Sequence, residues 1–143
     1  MQNNNKISGN RFENDLAEIL AKHGFWAHVM QQSKAGQPSD IIAVKGCFHT
    51  LIDAKEISDE KKGFPFSRVE ENQRLSMAMF TKRCGELCYF ALKLPDGQIR
   101  MIAYTRILML EGKGYKSITM RMMDEETWSL EHWLDCCKAW SEG

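Results

Sequence analysis

The sequence lacks the features that would tie it to a membrane, a secretory route or a nucleotide. No apolar run approaches the roughly 20 residues that a membrane-spanning helix needs. The first ten residues, MQNNNKISGN, are polar and contain no apolar signal core. There is no glycine-rich phosphate loop and no Gly-x-Ser-x-Gly turn. We therefore expect a cytoplasmic protein, or one in the host-cell cytoplasm if a phage or mobile element encodes it, with no membrane and no nucleotide cofactor.

Cysteine and histidine spacing also argues against a disulfide framework and a zinc site. The chain has five cysteines, an odd number, and no Cys-x-x-Cys pair. Its four histidines are not spaced to complete a zinc site with those cysteines.

With 43% hydrophobic and 27% charged residues, the composition is that of an ordinary globular domain. We expect reduced thiols and one domain over residues 1–143.

Positive charge is not in overall excess, because the formal net charge is zero. Residues 124–143 nevertheless carry six acids and one lysine, so the rest of the chain is basic by the same margin. A basic body with an acidic C-terminal helix fits a polyanionic partner on one face. A solvated acidic helix surface explains the same charges equally well.

Hydrophobic periodicity predicts a single α/β domain with a central mixed β-sheet flanked by helices. Residues 1–7 are expected to form a flexible tail. The expected helices span residues 10–22, 67–83, 106–111 and 129–141, and the expected strands span residues 25–32, 40–45, 48–57, 87–94, 98–105 and 117–122. Ser67 and Glu70 would form the capping box of the second helix.

Two neighbouring apolar runs are bounded by charged residues. Asp40 opens the first run, and Asp53 and Lys55 close the second. Residues two apart in a strand point to one face, so the Asp53 carboxylate and the Lys55 ammonium would project side by side. A turn at Lys45-Gly46 would fold the first strand back alongside the second. Asp40, Asp53 and Lys55 together predict a divalent-cation site with a basic partner, although a surface ion pair worth under about 1 kcal/mol also fits Asp53 and Lys55.

Two further side chains each have two interpretations. Glu13 lies three residues after Asn10, so it either completes a capping box or presents an acid beside the core to a metal. Gln73 is the polar member of an apolar helix stripe, and it is either a hydrogen-bonded core amide or an amide aimed at the Asp53 site.

Converging carboxylates repel one another unless a cation neutralises them. Hard oxygen ligands in small number suit Mg²⁺, with Mn²⁺ as a substitute, because these ions keep waters and share coordination with a phosphate. Lys55 could orient or deprotonate an attacking water, or stabilise negative charge that develops on phosphorus. These residues therefore favour hydrolysis of a phosphodiester.

Basic residues flank the predicted site on the second helix and its entry loop. They would contact DNA phosphates, or else form a solvated helix face. The residues in question are Lys61, Lys62, Arg68, Arg74, Lys82 and Arg83, of which the first four are the predicted DNA contacts.

The order of these segments resembles the PD-(D/E)xK nuclease superfamily. A helix with an acid (GNRFENDLAEIL) is followed by Asp40, then by Asp53-Ala54-Lys55, then by a helix with a glutamine (ENQRL). Within the superfamily, the chain is most similar to the Holliday-junction resolvases of the archaeal and Gram-positive bacterial types. The similarity covers residues 8–95 and implies a restriction-endonuclease-like nuclease core there. Residues 96–143 would add a hairpin strand, a short strand and an amphipathic helix.

The resemblance also implies roles for individual residues. The positions matching Asp40 and Asp53 bind Mg²⁺, the backbone carbonyl at the Ala54 position assists, and the acid matching Glu13 completes the metal site. Lys55 becomes catalytic.

Four further implications concern DNA and symmetry. Gln73 joins the catalytic site. Ser33 and Lys34 would lie in a loop near the scissile phosphate. The substrate is branched double-stranded DNA. A homodimer is implied because two symmetric nicks across a junction need two sites.

Two positions depart from the resolvase pattern. In the pattern that names the superfamily, proline directly precedes the first acid. Here Ser39 precedes Asp40, and Pro38 lies one place earlier. Asp53 stands where glutamate is usual among resolvases, which shortens the ligand by one methylene. Glu56 is longer, but strand alternation aims it at the opposite face.

The resulting prediction is a Mg²⁺-dependent, structure-selective DNA endonuclease that resolves Holliday junctions. Two alternatives remain at this point. One is another endonuclease of the same fold, of the restriction, repair or mobile-element type. The other is a DNA-binding module that keeps the fold without catalysis.

Overall fold

A mixed six-stranded sheet carries helices on both faces in the computed structural model, which describes residues 4–30 and 40–142. The helices are α1 (Asn4–Lys22), α2 (Glu71–Cys84), α3 (Tyr104–Gly112), α4 (Met123–Glu126) and α5 (Leu130–Glu142). The strands are β1 (Trp26–Val29), β2 (Ile41–Lys45), β3 (Phe48–Glu56), β4 (Phe64–Pro65), β5 (Tyr89–Lys93), β6 (Ile99–Ala103), β7 (Ser117–Ile118) and β8 (Trp128–Ser129). No helix within residues 4–30 or 40–142 is long and apolar enough to cross a lipid bilayer.

The central sheet has the strand order β1-β2-β3-β5-β6-β8, and its neighbours are antiparallel except β3 and β5, which are parallel. The parallel pair needs a crossover connection, and α2 lies within it. Strands β4 and β7 form a separate two-stranded sheet. The longest strand, β3, is therefore hydrogen-bonded on both sides, which fixes the position of the residues at its end.

Each face of the sheet has its own core. On one face, α1 and α5 bury an apolar cluster that includes Leu16, Leu20 and Trp133. On the other face, α2, α3 and the β4–β7 sheet bury a cluster that includes Met77 and Ile107. We call these the α1 face and the α2 face. Side chains alternate along β3, so Ile52 faces α1 while Leu51 faces α2.

The predicted fold class is confirmed: this is a single α/β domain whose mixed sheet is flanked by helices. The hairpin of β5 and β6 and the turn between β2 and β3 lie where the sequence placed them. The strand predicted over residues 25–32 is shorter, because β1 spans Trp26–Val29. Residues 31 and 32 lie outside the described ranges.

The expected tail over residues 1–7 is wrong for residues 4–7, because α1 begins at Asn4. The buried stripe of Phe12, Leu16 and Leu20 anchors the helix. Once a helix is nucleated, extending it costs far less than starting it, and no proline blocks extension toward Asn4. Asn10 therefore lies inside α1 and cannot cap its start.

The second predicted helix boundary is also wrong. Residues Phe66–Arg68 form a 3-10 turn, because Phe66 turns inward and is buried, and α2 starts only at Glu71. Pro65, which lies outside every predicted strand, pairs with Ser117 in the β4–β7 sheet. Proline is tolerated there because each of those strands has one partner. The predicted edge strand 117–122 accordingly shortens to Ser117–Ile118, followed by a 3-10 turn.

Candidate active site

The carboxylate of Asp53 is fully buried at the end of β3, on the α2 face. Lys55 Nζ lies 3.1 Å from Asp53 Oδ2, and the Lys55 side chain is 14% exposed. Strand alternation places both residues on one face, as the sequence predicted. Burial chiefly raises the pKa of Asp53 well above its usual range, the negative charge of Asp40 raises it further, and Lys55 lowers it.

Asp40 lies opposite Asp53. The β2–β3 register pairs Ile41 with Ile52, so the next pair along is Asp40 with Asp53, and both point to the same face. Beyond that last pair, the Ala54 backbone N–H donates a 2.8 Å hydrogen bond to Asp40 Oδ2. The Asp40 backbone is held as well, because its carbonyl accepts a hydrogen bond from Met30 N–H. Asp40 is thus anchored to both neighbouring strands.

Gln73 connects α2 to this site. Its Nε2 donates a 2.9 Å hydrogen bond to Asp53 Oδ1, and its Oε1 accepts a 3.0 Å hydrogen bond from the Glu70 backbone N–H. Glu70 and Gln73 form the capping box of α2, in place of the predicted Ser67–Glu70 pair. Both interpretations of Gln73 therefore apply: it is a buried amide whose oxygen and nitrogen each make a hydrogen bond, and it is aimed at Asp53.

Glu13 approaches Asp40 from helix α1. It is only partly exposed and it interacts with Asp40 through charge and a side-chain hydrogen bond. Burial is the main cause that raises the pKa of Glu13 to about 7, followed by the charge of Asp40, while Lys55 lowers it. Because Asn10 is inside α1, the capping interpretation of Glu13 is wrong. The site interpretation remains a prediction.

Arg68 supplies a second cation to the site. Its Nη1 donates a 2.8 Å hydrogen bond to the Glu56 backbone carbonyl, and its guanidinium lies 5.7 Å from the centre of the Phe64 ring. Burial lowers the pKa of Arg68, and the charges of Asp53 and Glu56 raise it. The sequence singled out Arg68 only as part of a basic helix face, and its proximity to Asp53 follows from the 3-10 turn that the sequence did not predict.

The site has more acidic than basic side chains. The acids are Asp40, Asp53 and Glu13, and the cations are Lys55 and Arg68. Within the described residues, the close partner of the buried Asp53 Oδ2 is the Lys55 ammonium, an ion pair at 3.1 Å. No three His, Cys, Asp or Glu side chains in the described part of the chain are close enough to hold a metal by themselves. Mg²⁺ does not need such a cage, because it commonly binds through one or two carboxylates, several waters and a substrate phosphate. The residues present fit that kind of ion.

The remaining basic residues divide by their contacts. The side chains of Lys61 and Lys62 are exposed on the loop after β3. Arg74, by contrast, binds Glu111 of α3 through two hydrogen bonds of 2.8 and 3.0 Å and donates to the Phe66 carbonyl. These contacts give Arg74 a structural role in joining α2 to α3. Ser33 and Lys34 lie outside the described residues.

Glu56 points away from the site, as alternation predicted. Its carboxylate lies 3.9 Å from Lys93 Nζ, and Lys93 in turn lies over the Phe12 ring of α1. Glu56 therefore belongs to the α1 face, and Asp53 remains the candidate ligand on β3.

Comparison with known proteins identifies the family of this chain. The family model of the archaeal Holliday junction resolvases (Hjc) matches residues 4–140. The chain belongs to that family. Its members are structure-selective endonucleases that cleave DNA, which confirms the predicted enzyme class. A search of curated protein sequences gives no match.

A solved structure supports the fold of this resolvase-family chain. Hjc from Archaeoglobus fulgidus, a Holliday junction resolvase from an archaeal hyperthermophile, superposes with a TM-score of 0.68. The alignment covers 88% of this chain and 99% of that chain at 24% identity. The restriction-endonuclease-like topology expected from the sequence is therefore confirmed.

Proposed function

We propose that this member of the resolvase family cleaves four-way DNA junctions with Mg²⁺, at the site formed by Asp40, Asp53 and Lys55. The observation that carries the proposal is the fully buried Asp53 carboxylate, which contacts Lys55 at 3.1 Å and Gln73 at 2.9 Å and lies opposite Asp40. A buried acid among other acids is costly unless a cation neutralises it. Mn²⁺ would substitute for Mg²⁺, since both prefer oxygen ligands.

The ion would be held by Asp40 and Asp53 with the Ala54 carbonyl assisting, and Glu13 would complete the set through one of the waters that such an ion keeps, because the three acids do not form a cage by themselves. When bound, Mg²⁺ supplies positive charge to the phosphodiester and lowers the pKa of a water. Gln73 fixes Asp53 Oδ1 by its hydrogen bond. The Ala54 N–H fixes Asp40 Oδ2 in the same way. The oxygens are therefore oriented before substrate arrives, which lowers the cost of reorganisation during the reaction.

Lys55 provides the fixed positive charge beside the reacting phosphate. Its ammonium is held by Asp53 and is mostly buried, so its field is poorly screened by solvent. It would donate hydrogen bonds to phosphate oxygens as negative charge builds up on them. Arg68, held by the Glu56 carbonyl, would contact a neighbouring phosphate, and the exposed Lys61 and Lys62 would add further backbone contacts.

Resolution of a junction requires two symmetric nicks, so we propose that two copies of the chain act together as a homodimer. We place the activity in the cytoplasm, where branched DNA is accessible to a protein of this class. Analytical ultracentrifugation with and without a four-way junction measures the number of copies directly. A single copy per junction would contradict the dimer.

The substrate class is tested by comparing three DNAs of identical arm sequence: a four-way junction, a flap and a linear duplex. We expect paired nicks in the junction in Mg²⁺ or Mn²⁺, none with a chelator, and little cutting of the duplex. Preferential cutting of the flap or the duplex would favour a different endonuclease of the same fold. Junction binding with no cleavage in either metal would favour a binding module.

A further inference from the structure

Two aromatic rings stand exposed on the edge strand of the sheet beside the proposed site. Trp26 and His28 lie on β1, and their rings stack with a centroid separation of 5.7 Å and an interplanar angle of 7°. Trp26 is 61% exposed, more than any other tryptophan in the described part of the chain. An exposed indole presents a flat apolar face on which another ring can stack.

Both rings project from the α2 face, where the proposed catalytic residues lie. In the β1–β2 register Trp26 pairs with Val44 and His28 pairs with Ile42, and directly paired residues point to one face. Ile42 packs against the core cluster of the α2 face. Phe25, the residue before Trp26, is buried in the cluster of the α1 face. Alternation therefore places Trp26 and His28 on the same side of the sheet as Asp40.

The two rings form a row that leads to Asp40. One residue beyond the last β1–β2 pair, the Met30 N–H donates to the Asp40 carbonyl, so the two strands stay aligned up to the acid. Along the strand, His28 is about 7 Å and Trp26 about 13 Å from the level of Asp40. Among residues 4–30 and 40–142, helix α2 does not cover this edge: Phe80 contacts His49 of β3, while Ile42 and Val44 of β2 stay partly exposed.

From this continuity we propose that Trp26 and His28 form a stacking platform for a nucleobase at the branch point of the junction. The inference rests on the proposed function, because it requires DNA to cross the α2 face at Asp40. The two rings lie about 7 and 13 Å along β1 from Asp40, so a phosphodiester bound at the acids would have its neighbouring nucleotides beside them. At a branch point the stack of base pairs is interrupted. A base left without a stacking neighbour can stack on an exposed indole, whereas a continuous duplex offers no such base.

The platform would therefore contribute to selectivity for branched DNA and not to cleavage chemistry. The test measures dissociation constants in Mg²⁺ for a four-way junction and for a linear duplex of the same arm sequence. All proteins carry Asp53→Asn so that binding is measured without cleavage. In that background, Trp26→Ala should weaken junction binding about 5- to 30-fold, as expected for the loss of one base–aromatic stack, and duplex binding less than about twofold.

Trp128 offers a matched control. It is also an exposed tryptophan, at 41%, and it lies on β8 at the opposite edge of the sheet. Trp128→Ala should leave both dissociation constants unchanged. Trp26→Phe should retain most junction binding, whereas Trp26→Leu, which keeps an apolar side chain without a ring, should lose it. This second pair keeps the test decisive if Trp26→Ala proves poorly folded by circular dichroism.

If Trp26→Ala and Trp128→Ala bind the junction equally well, or if Trp26→Leu binds as well as Trp26→Phe, the platform is overturned. If Trp26→Ala changes the number of copies in ultracentrifugation, the surface is an interface between copies and the stacking proposal is overturned. If the Asp53→Asn protein itself binds neither DNA, the proposed function fails, and the platform fails with it.

Discussion

The Gln73 side chain donates a 2.9 Å hydrogen bond to Asp53 Oδ1 and accepts one from the backbone N–H of Glu70. One amide therefore caps α2 and fixes the carboxylate at the end of β3. Because both amide atoms are engaged, the side chain cannot rotate without losing a buried hydrogen bond. The start of α2 and the orientation of Asp53 are thus coupled through a single residue.

This coupling predicts the behaviour of Gln73→Ala. The variant should lose roughly 2–3 kcal/mol of unfolding free energy, from the cap and from the hydrogen bond to a buried carboxylate. Its junction cleavage should fall about tenfold, the equivalent of about 1.4 kcal/mol in the barrier, because Asp53 is no longer held. Denaturant unfolding and single-turnover cleavage below the transition temperature measure the two effects.

Glu70→Ala is the matched control, because the Glu70 side chain takes part in the capping box with the backbone N–H of Gln73. It should lower stability by about 1 kcal/mol and leave cleavage unchanged. Equal losses of cleavage in Gln73→Ala and Glu70→Ala would show that Gln73 acts only through the helix cap.

Lys55→Gln should separate the fixed positive charge from metal binding. Cleavage should fall by about 10²–10³-fold, the usual loss when one preorganised electrostatic group is removed from an active site. Stabilisation by Mg²⁺ should persist, because the carboxylates are untouched. Cleavage is measured in single turnover on a four-way junction. A rate within threefold of wild type would exclude a catalytic role for Lys55.

Mg²⁺ should stabilise the folded chain. With a dissociation constant near 1 mM, 10 mM Mg²⁺ adds roughly 1.4 kcal/mol, or about 3–5 °C in the melting temperature of a domain of this size. Asp40→Asn should remove this increment because it removes one of the two aspartates. Melting curves with Mg²⁺ and with chelator test this directly. A buffer without divalent metal, at the same ionic strength, controls for the effect of salt. An unchanged increment in Asp40→Asn would place the ion elsewhere.

Arg68 and Arg74 carry the same charge and lie six residues apart, yet their contacts predict different consequences. Arg68→Gln should weaken junction binding. It should also reduce the slope of the logarithm of the association constant against the logarithm of salt concentration, by the amount expected for about one phosphate contact. Arg74→Gln should leave that slope unchanged. It should instead lower the unfolding free energy by about 1–2 kcal/mol, because it breaks a partly buried bidentate pair with Glu111. The opposite assignment of the two effects would contradict the structural distinction.

Local patterns were sufficient to predict the centre of the site. Asp53 and Lys55 share a face because side chains alternate along any strand, and Asp40 lies opposite them because a tight turn at Lys45-Gly46 fixes the register. The fold class and the approximate positions of the longer helices followed from hydrophobic periodicity and from the resemblance. These features depend on residues close together in sequence, or on a motif order already known to specify a fold.

What the sequence did not predict depends on long-range contacts. Pro65 belongs to a strand only because Ser117, far along the chain, pairs with it. That pairing helps bury Phe66, shifts the start of α2 from Ser67 to Glu71, and makes Gln73 the third residue of the helix. The bond between Arg74 and Glu111 likewise joins two helices that have no local relationship. No local signal reports such contacts.

Cleavage of a four-way junction by wild type and by Asp53→Asn in Mg²⁺ shows whether the Asp53 carboxylate is required for the reaction. Asparagine keeps the size of the side chain and removes its charge, so the protein should stay folded and bind the junction with a dissociation constant within about threefold of wild type, while cleavage falls by at least about 10³-fold. Wild type should lose cleavage in the same way when chelator replaces Mg²⁺. Wild-type cleavage rates in Asp53→Asn, or in the presence of chelator, would contradict the account.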